Sequence, residues 1–210
     1  VKLHRFGKIR FHVTQVTCRT ARLITFSQPF RAALKKQWTE GQTRVIRLPE
    51  ESPESVQQYV AYLYGRGLPT RYLTGEFPHM VTEDHHDMLA ELYVLGERVL
   101  NAKHQNMIIY EMLRLTQIED GLSGDREYPG ATTVNIIYGG TTPDSPFRRL
   151  LVDLAVAYGE QEWLENPVPD SQYLLDLGKS FLRAVTSHSC FDDFRWGTIK
   201  AEDYLVGEEA

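Results

Sequence analysis

Ser27-Gln-Pro-Phe30-Arg-Ala-Ala-Leu34, Trp38-Thr39-Glu40, Val45-Ile46-Arg47-Leu48-Pro49, Ser52-Pro53-Glu54 and Tyr59-Val-Ala-Tyr62-Leu63-Tyr64 follow one another between residues 27 and 69. Local chemistry assigns each piece. Ser27 can cap a helix running through Phe30, Ala33 and Leu34. Gly41-Gln-Thr43 breaks the chain, and Val45 to Leu48 reads as a short strand that Pro49 stops, since Pro has no amide to give a ladder. Ser52-Pro53-Glu54 is a helix start in which Ser satisfies a free amide, Pro needs none, and Glu favours the positive end of the dipole. Val56, Tyr59, Val60, Leu63 and Tyr64 then recur at helical spacing, giving one apolar stripe that Gly65 and Gly67 end. The block is a helix, a turn, a strand and a helix, and none of its residues is arranged for catalysis.

Upstream, Ile9-Arg-Phe11-His-Val13 and Val16-Thr-Cys18 alternate like strands, with a hairpin across Thr14-Gln15. Downstream, Arg71 to Glu83 reads as a loop. Met88 to Leu100 and Met107 to Leu115 form two patterned helices with a break at Asn101. Residues 119–130, rich in Gly, Asp and Ser, read as a linker. Val134 to Tyr138 fits either a strand or a helix start. Ser145-Pro146 repeats the cap-plus-Pro signal and opens a helix with Leu150, Leu151, Leu154 and Tyr158 on one side. A last helix carries Tyr173, Leu174, Leu177, Phe181, Leu182 and Val185. The expected organisation is an α/β unit over residues 1–118, a linker over 119–130, and a helical extension with its tail over 131–210.

Bulk properties narrow the functional class. A hydrophobic fraction of 42% with 11% aromatics supplies a packed core. The net charge of -5, without a sustained basic run, argues against a nucleic-acid partner, because phosphate binding needs clustered Lys and Arg. Arg148-Arg149 reads as a solvated helix face rather than a phosphate contact. No apolar run approaches the roughly 20 residues that span a bilayer, so no membrane partner is expected. Cys18 and Cys190, far apart, make no disulfide framework, and a reducing compartment (cytoplasm or nucleus) is the expectation.

Catalysis needs convergent groups. Glu83-Asp84-His85-His86-Asp87 is the densest set of metal-ligating side chains. Neighbours on a helix point about 100° apart, so the run cannot close on one ion by itself. Its plainer reading is the acidic first turn of the helix that follows, and a metal-dependent hydrolase built on it is the alternative to be weighed. Gly139-Gly140-Thr-Thr lacks the Gly-Lys-Ser/Thr ending of a phosphate loop and reads as a turn. Asp153, set among apolar residues, reads as a satisfied or snorkelling carboxylate rather than a general base. No catalytic residue, metal or cofactor is assigned, and the chain is expected not to be an enzyme.

In its order of elements the 27–69 block resembles the BTB/POZ domain, and within it the stand-alone fungal proteins that carry a C-terminal helical extension. The likeness continues through Leu89-x-x-Leu92-Tyr93-Val94-Leu95-Gly96-Glu97, Asn106, Ser145-Pro-Phe-Arg-Arg-Leu-Leu-Val-Asp153 and Trp163-Leu164. It implies an α/β (α+β) fold, a small mixed sheet flanked by a helical cluster, with a mostly helical extension. It also implies a non-enzymatic protein–protein interaction module, an adaptor or self-associating scaffold whose partners include a cullin-type ubiquitin-ligase scaffold or a second copy. A degenerate domain serving transcriptional regulation is a further alternative. Trp38-Thr39-Glu40 matches the hydrophobic-x-Glu motif of cullin-binding members, which makes Trp38 either a partner anchor or a residue packed on its own sheet. The helix of Phe30 and Leu34 corresponds to a dimer-forming helix, adding both to the expected partner-binding set. The N-terminal strands depart from the family pattern: Thr14 or Arg19, depending on register, stands where the family has His.

Overall fold

In the computed structural model the described residues are 8–11, 17–19, 27–43, 45–72, 81–119, 123–164, 168–187 and 199–207. The hairpin turn expected at Thr14-Gln15 and the thiol of Cys190 lie outside them. The elements are β1 (Lys8–Phe11), β2 (Thr17–Arg19), α1 (Gln28–Ala33), α2 (Thr39–Thr43), β3 (Val45–Ile46) and α3 (Pro53–Leu63). They continue with α4 (Glu83–Arg98), α5 (Ala102–Leu115), α6 (Ala131–Gly140), α7 (Pro146–Tyr158) and α8 (Ser171–Ser187). Short 3-10 turns occupy Pro69–Tyr72, Gln161–Leu164 and Ala201–Tyr204.

The expected α/β fold, organised on a small mixed sheet, is overturned: the protein is mostly helical. Its strands are four, three and two residues long. They order as β2-β1-β3, with β1 antiparallel to β2 and parallel to β3. Ile46 of β3 joins the core. Among the described residues the wide apolar stripes have helical period, so the burial seen there falls between helices.

Helix α4 is the centre. Its Leu89, Leu92 and Tyr93 belong to one cluster, with Ile108, Ile109 and Met112 of α5, Val134 and Ile137 of α6, and Phe147 and Leu150 of α7. Leu95 and Val99, at its far end, belong to a second cluster with Phe30, Leu34, Tyr59, Val60 and Leu63. Residues on both sides of 119–130 share the first cluster, so the helices after 131 complete a core that those before 118 begin. Val134 to Tyr138, which fitted two readings, is the middle of α6, and Gly139-Gly140, expected as a turn, is its last residues.

Ser52 caps α3 by accepting from the Ser55 amide at 3.1 Å, and Pro53 sits in the first turn. Ser145 opens α7 without a side-chain cap bond; its hydroxyl lies 3.3 Å from the Tyr93 hydroxyl instead. Ser27 accepts from the Phe30 amide and donates to the Val99 carbonyl at 2.6 Å, tying the start of α1 to the end of α4. Asn101 caps α5 by accepting from the His104 amide and donates to the Tyr59 hydroxyl at 3.0 Å.

Between α4 and α5 the chain turns through a Schellman motif. The Leu100 amide bonds the Glu97 carbonyl, and the Asn101 amide bonds that of Gly96. The left-handed position is filled by Leu100, with φ of 50°. An L-residue with a Cβ costs about 1–2 kcal/mol there, against a smaller entropic cost for Gly. Leu100 is exposed, so its side chain returns little of that cost. Leu100→Gly is therefore expected to stabilise the protein by about 0.5–1 kcal/mol, read as a higher urea midpoint at unchanged slope. An unchanged or lower midpoint would show that the Leu side chain contributes more than its exposure indicates.

The tail closes the first cluster from outside. Ala201 and Tyr204 are buried. Tyr204 donates to Asp153 at 2.7 Å, and Arg149 stacks over the Tyr204 ring. Asn106 holds Val206 through both backbone groups, at 3.0 and 2.7 Å. Asp153 is thus a satisfied carboxylate, as its setting indicated.

Candidate interaction surface

The segment from Leu34 to Thr43 folds back on itself. The Trp38 amide bonds the Lys35 carbonyl at 3.0 Å, and the Trp38 carbonyl accepts from the Gln42 amide at 3.1 Å. The Gln42 side chain reaches the Lys36 carbonyl, and the Thr43 hydroxyl bonds the Thr39 carbonyl at 2.8 Å. Gly41 makes this closure feasible: a Cβ there would lie 2.0 Å from the Lys35 carbonyl oxygen. The result is a braced turn with Trp38 at its tip, 53% exposed. Of the two readings left open by the sequence, the side chain takes the outward one. Lys35, Lys36 and Gln37 are exposed beside it, and Glu40 is half-buried on the first turn of α2. The Glu40 carboxylate makes no ion pair among the described residues.

Phe30 and Leu34, expected in the partner-binding set, are not brought to this surface. They are 4% and 9% exposed and belong to the second core cluster with Tyr59, Leu63 and Leu95. Their four-residue spacing marks one face of α1, and that face is turned inward by the Ser27–Val99 tie. The expectation of them as contact residues is corrected.

Glu83 to Asp87 diverges along the first turns of α4. His85 closes a capping box, its Nδ1 lying 3.1 Å from the Thr82 amide and 2.9 Å from the Thr82 hydroxyl. His86 is fully buried, and burial lowers its pKa to about 4. Asp87 accepts from the Thr133 hydroxyl at 2.5 Å, and burial raises its carboxyl against that bond. Among the described residues no group of three or more His, Cys, Asp or Glu could hold a metal ion. The acidic-first-turn reading describes Glu83 and Asp84, while His85 turns back to Thr82 and His86 into the core.

A polar groove of about 370 Å³ lies beside α4, lined in part by Glu50, Glu51, Glu91, Arg98 and Asn135. Its charged groups are already paired. Arg98 reaches Glu51 at 2.5 Å and Glu50 at 3.1 Å, and Glu91 accepts from both the Ser52 and Ser55 hydroxyls. Burial raises the Glu51 carboxyl, and Arg98 opposes this. The arrangement anchors the start of α3 to α4.

Arg148 corrects the reading of Arg148-Arg149 as a solvated face. It is 8% exposed; its guanidinium donates to the Tyr138 carbonyl at 2.8 Å and to the Thr141 carbonyl and hydroxyl, with the Tyr138 ring 4.5 Å away. It caps the C-terminus of α6. Arg149 is the exposed member of the pair.

A second apolar surface was missed in the sequence. Helix α8 buries Tyr173, while Leu174, Leu175, Phe181 and Leu182 stay exposed. The signal was present in the two apolar doublets, which widen the stripe beyond what one core contact covers. No family model, no curated protein and no solved structure matches the chain.

Proposed function

We propose that the chain is a non-enzymatic protein–protein interaction module that engages its partner through Trp38 and Glu40. The observation that carries this reading is the half-exposed Trp38 at the tip of a turn braced by four backbone or side-chain bonds. A rigid aromatic side chain buries a large area on binding at little entropic cost, which makes Trp the best single anchor for a protein partner. The Glu40 carboxylate beside it, which makes no ion pair among the described residues, supplies a charge for orientation. Asp87 and Glu51 are each engaged in holding neighbouring helices together.

The match of Trp38-Thr39-Glu40 to the hydrophobic-x-Glu motif of BTB adaptors favours a cullin-type scaffold as the partner and the cytoplasm or nucleus as the setting. Among the described residues no helix is long and apolar enough to cross a membrane. Trp38→Ala and Glu40→Lys should each weaken capture of a cullin scaffold on the order of 30-fold or more, as anchors worth about 2 kcal/mol do. Both positions are off the core, so the circular dichroism and urea midpoint should stay at the wild-type values. Undiminished capture by both variants would sink the assignment.

A further inference from the structure

The turn Ala201–Tyr204 packs against α5 and α7. The side chains that receive it are spaced four apart on each helix, Asn106 and Tyr110 on α5 and Arg149 and Asp153 on α7. That spacing sets each pair on one helix face. Asn106 holds the segment by its backbone: the side-chain nitrogen donates to the Val206 carbonyl at 3.0 Å, and the side-chain oxygen accepts from the Val206 amide at 2.7 Å. Such a pair of bonds imitates a neighbouring strand and reads the main chain whatever residue it carries. Arg149 adds a bond to the Asp203 carbonyl at 3.2 Å.

Selectivity comes from Tyr204. Its side chain is buried, the Arg149 guanidinium lies 5.8 Å from the ring centre, and its hydroxyl donates to Asp153 at 2.7 Å. Burial, with the Asp153 carboxylate beside it, raises the phenol, so it stays a donor. A phosphate on that oxygen would instead set two negative groups together. Two residues earlier, the Glu202 carboxylate accepts from the Tyr110 hydroxyl at 3.3 Å. The groove thus describes its own ligand, a single 3-10 turn followed by extended backbone, carrying an unmodified tyrosine with an acid two residues before it.

The hold is light. Ala201 and Tyr204 are buried, while Glu202 and Asp203 are exposed and Leu205 and Val206 half-buried. A segment with few buried apolar groups and solvent-facing backbone bonds opens locally at a lower cost than the core. Being tethered, it competes for the groove at an effective concentration on the order of millimolar.

From these contacts we infer that the α5–α7 groove is a peptide-recognition site, that residues 201–206 occupy it in cis as an autoinhibitory strap, and that a Glu-x-Tyr segment of a partner protein displaces them. The site is separate from Trp38 and does not depend on the reading of that residue.

The probe is a fluorescent peptide with the sequence of residues 199–207, added to the full chain. Tyr204→Glu sets a carboxylate against Asp153 and should unseat the strap, so the peptide should bind that variant at least about 10-fold more tightly than wild type. Adding Asn106→Ala to Tyr204→Glu should weaken binding by about 10-fold or more, as should a phosphotyrosine in the peptide. Hydrogen exchange on the wild-type chain reads the opening with no substitution: the Val206 amide should exchange at least about 10-fold faster than the Ile108 amide in the core. A Val206 amide as slow as that of Ile108 would overturn the inference. So would a Tyr204→Glu chain with wild-type circular dichroism that binds no peptide, or binding that neither Asn106→Ala nor the phosphate diminishes.

Discussion

Lowering the pH from 7 to 4 is expected to remove most of the stability of this protein, through His86 and His104. Both are fully buried, and neither ring nitrogen of either one has a hydrogen-bond partner among the described residues. His104 is held between rings, 4.9 Å from Tyr59 and 4.6 Å from Tyr62. Burial lowers the pKa to about 4 for His86, helped by neighbouring His85, and to about 3 for His104. A histidine shifted down on folding is neutral in the fold and takes up a proton on unfolding. Stability is therefore full above the ordinary value of about 6.5 and falls as the pH drops toward the folded values.

By pH 4 each histidine costs on the order of 3 kcal/mol, and the two together rival the 5–15 kcal/mol that holds a typical domain. Other groups modify the curve. The carboxyls of Glu51 and Asp87, raised by burial, gain stability on protonation and soften the fall as it nears the carboxylate range. Glu111 steepens it; burial raises that carboxyl, but bonds from Arg114 and Thr70 outweigh this and hold it below its ordinary value. Urea midpoints measured from pH 7 to 4 test the expectation, with the double variant His86→Leu, His104→Phe flattening the profile between 6.5 and 5. A wild-type midpoint that stays level over that range would refute it.

Arg148→Ala is expected to destabilise the protein by about 2–4 kcal/mol. The substitution strips the Tyr138 and Thr141 carbonyls of their donor at a buried helix end, where the dipole favours a cation. It also removes the guanidinium from the Tyr138 ring. Arg148→Lys restores charge but not the fork, so a partial loss is expected, and Arg148→Met keeps the stem while losing the donors. Arg149→Ala, one residue on and exposed, should stay within about 0.5 kcal/mol of wild type. Equal midpoints for the Arg148→Ala and Arg149→Ala variants would show that the cap contributes nothing.

Local chemistry was legible in the sequence wherever it acts within one turn. Ser52-Pro53 marks its helix start through a cap and a preset φ, and Ser145-Pro146 through the preset φ alone, neither needing a distant partner. Which side of a helix is covered depends on what arrives from elsewhere. Phe30 and Leu34 show a helical face but not that it turns inward, and α8 shows a broad stripe of which half is covered. Arg148 and Arg149 are alike as letters; only the arrival of the α6 terminus separates them. The strand signals were short, and the likeness to a sheet-based domain gave them more weight than the nine described strand residues can carry.

Asn106 grips the backbone of Val206, 100 residues further along. During synthesis the flank of α5 that Tyr204 will cover therefore stands open until about 100 further residues have been made. At about 5–20 residues per second, that interval lasts roughly 5–20 s. The nascent helices spend those seconds with an apolar side uncovered. Residues 201–206 thus set the earliest moment at which the first core cluster is complete.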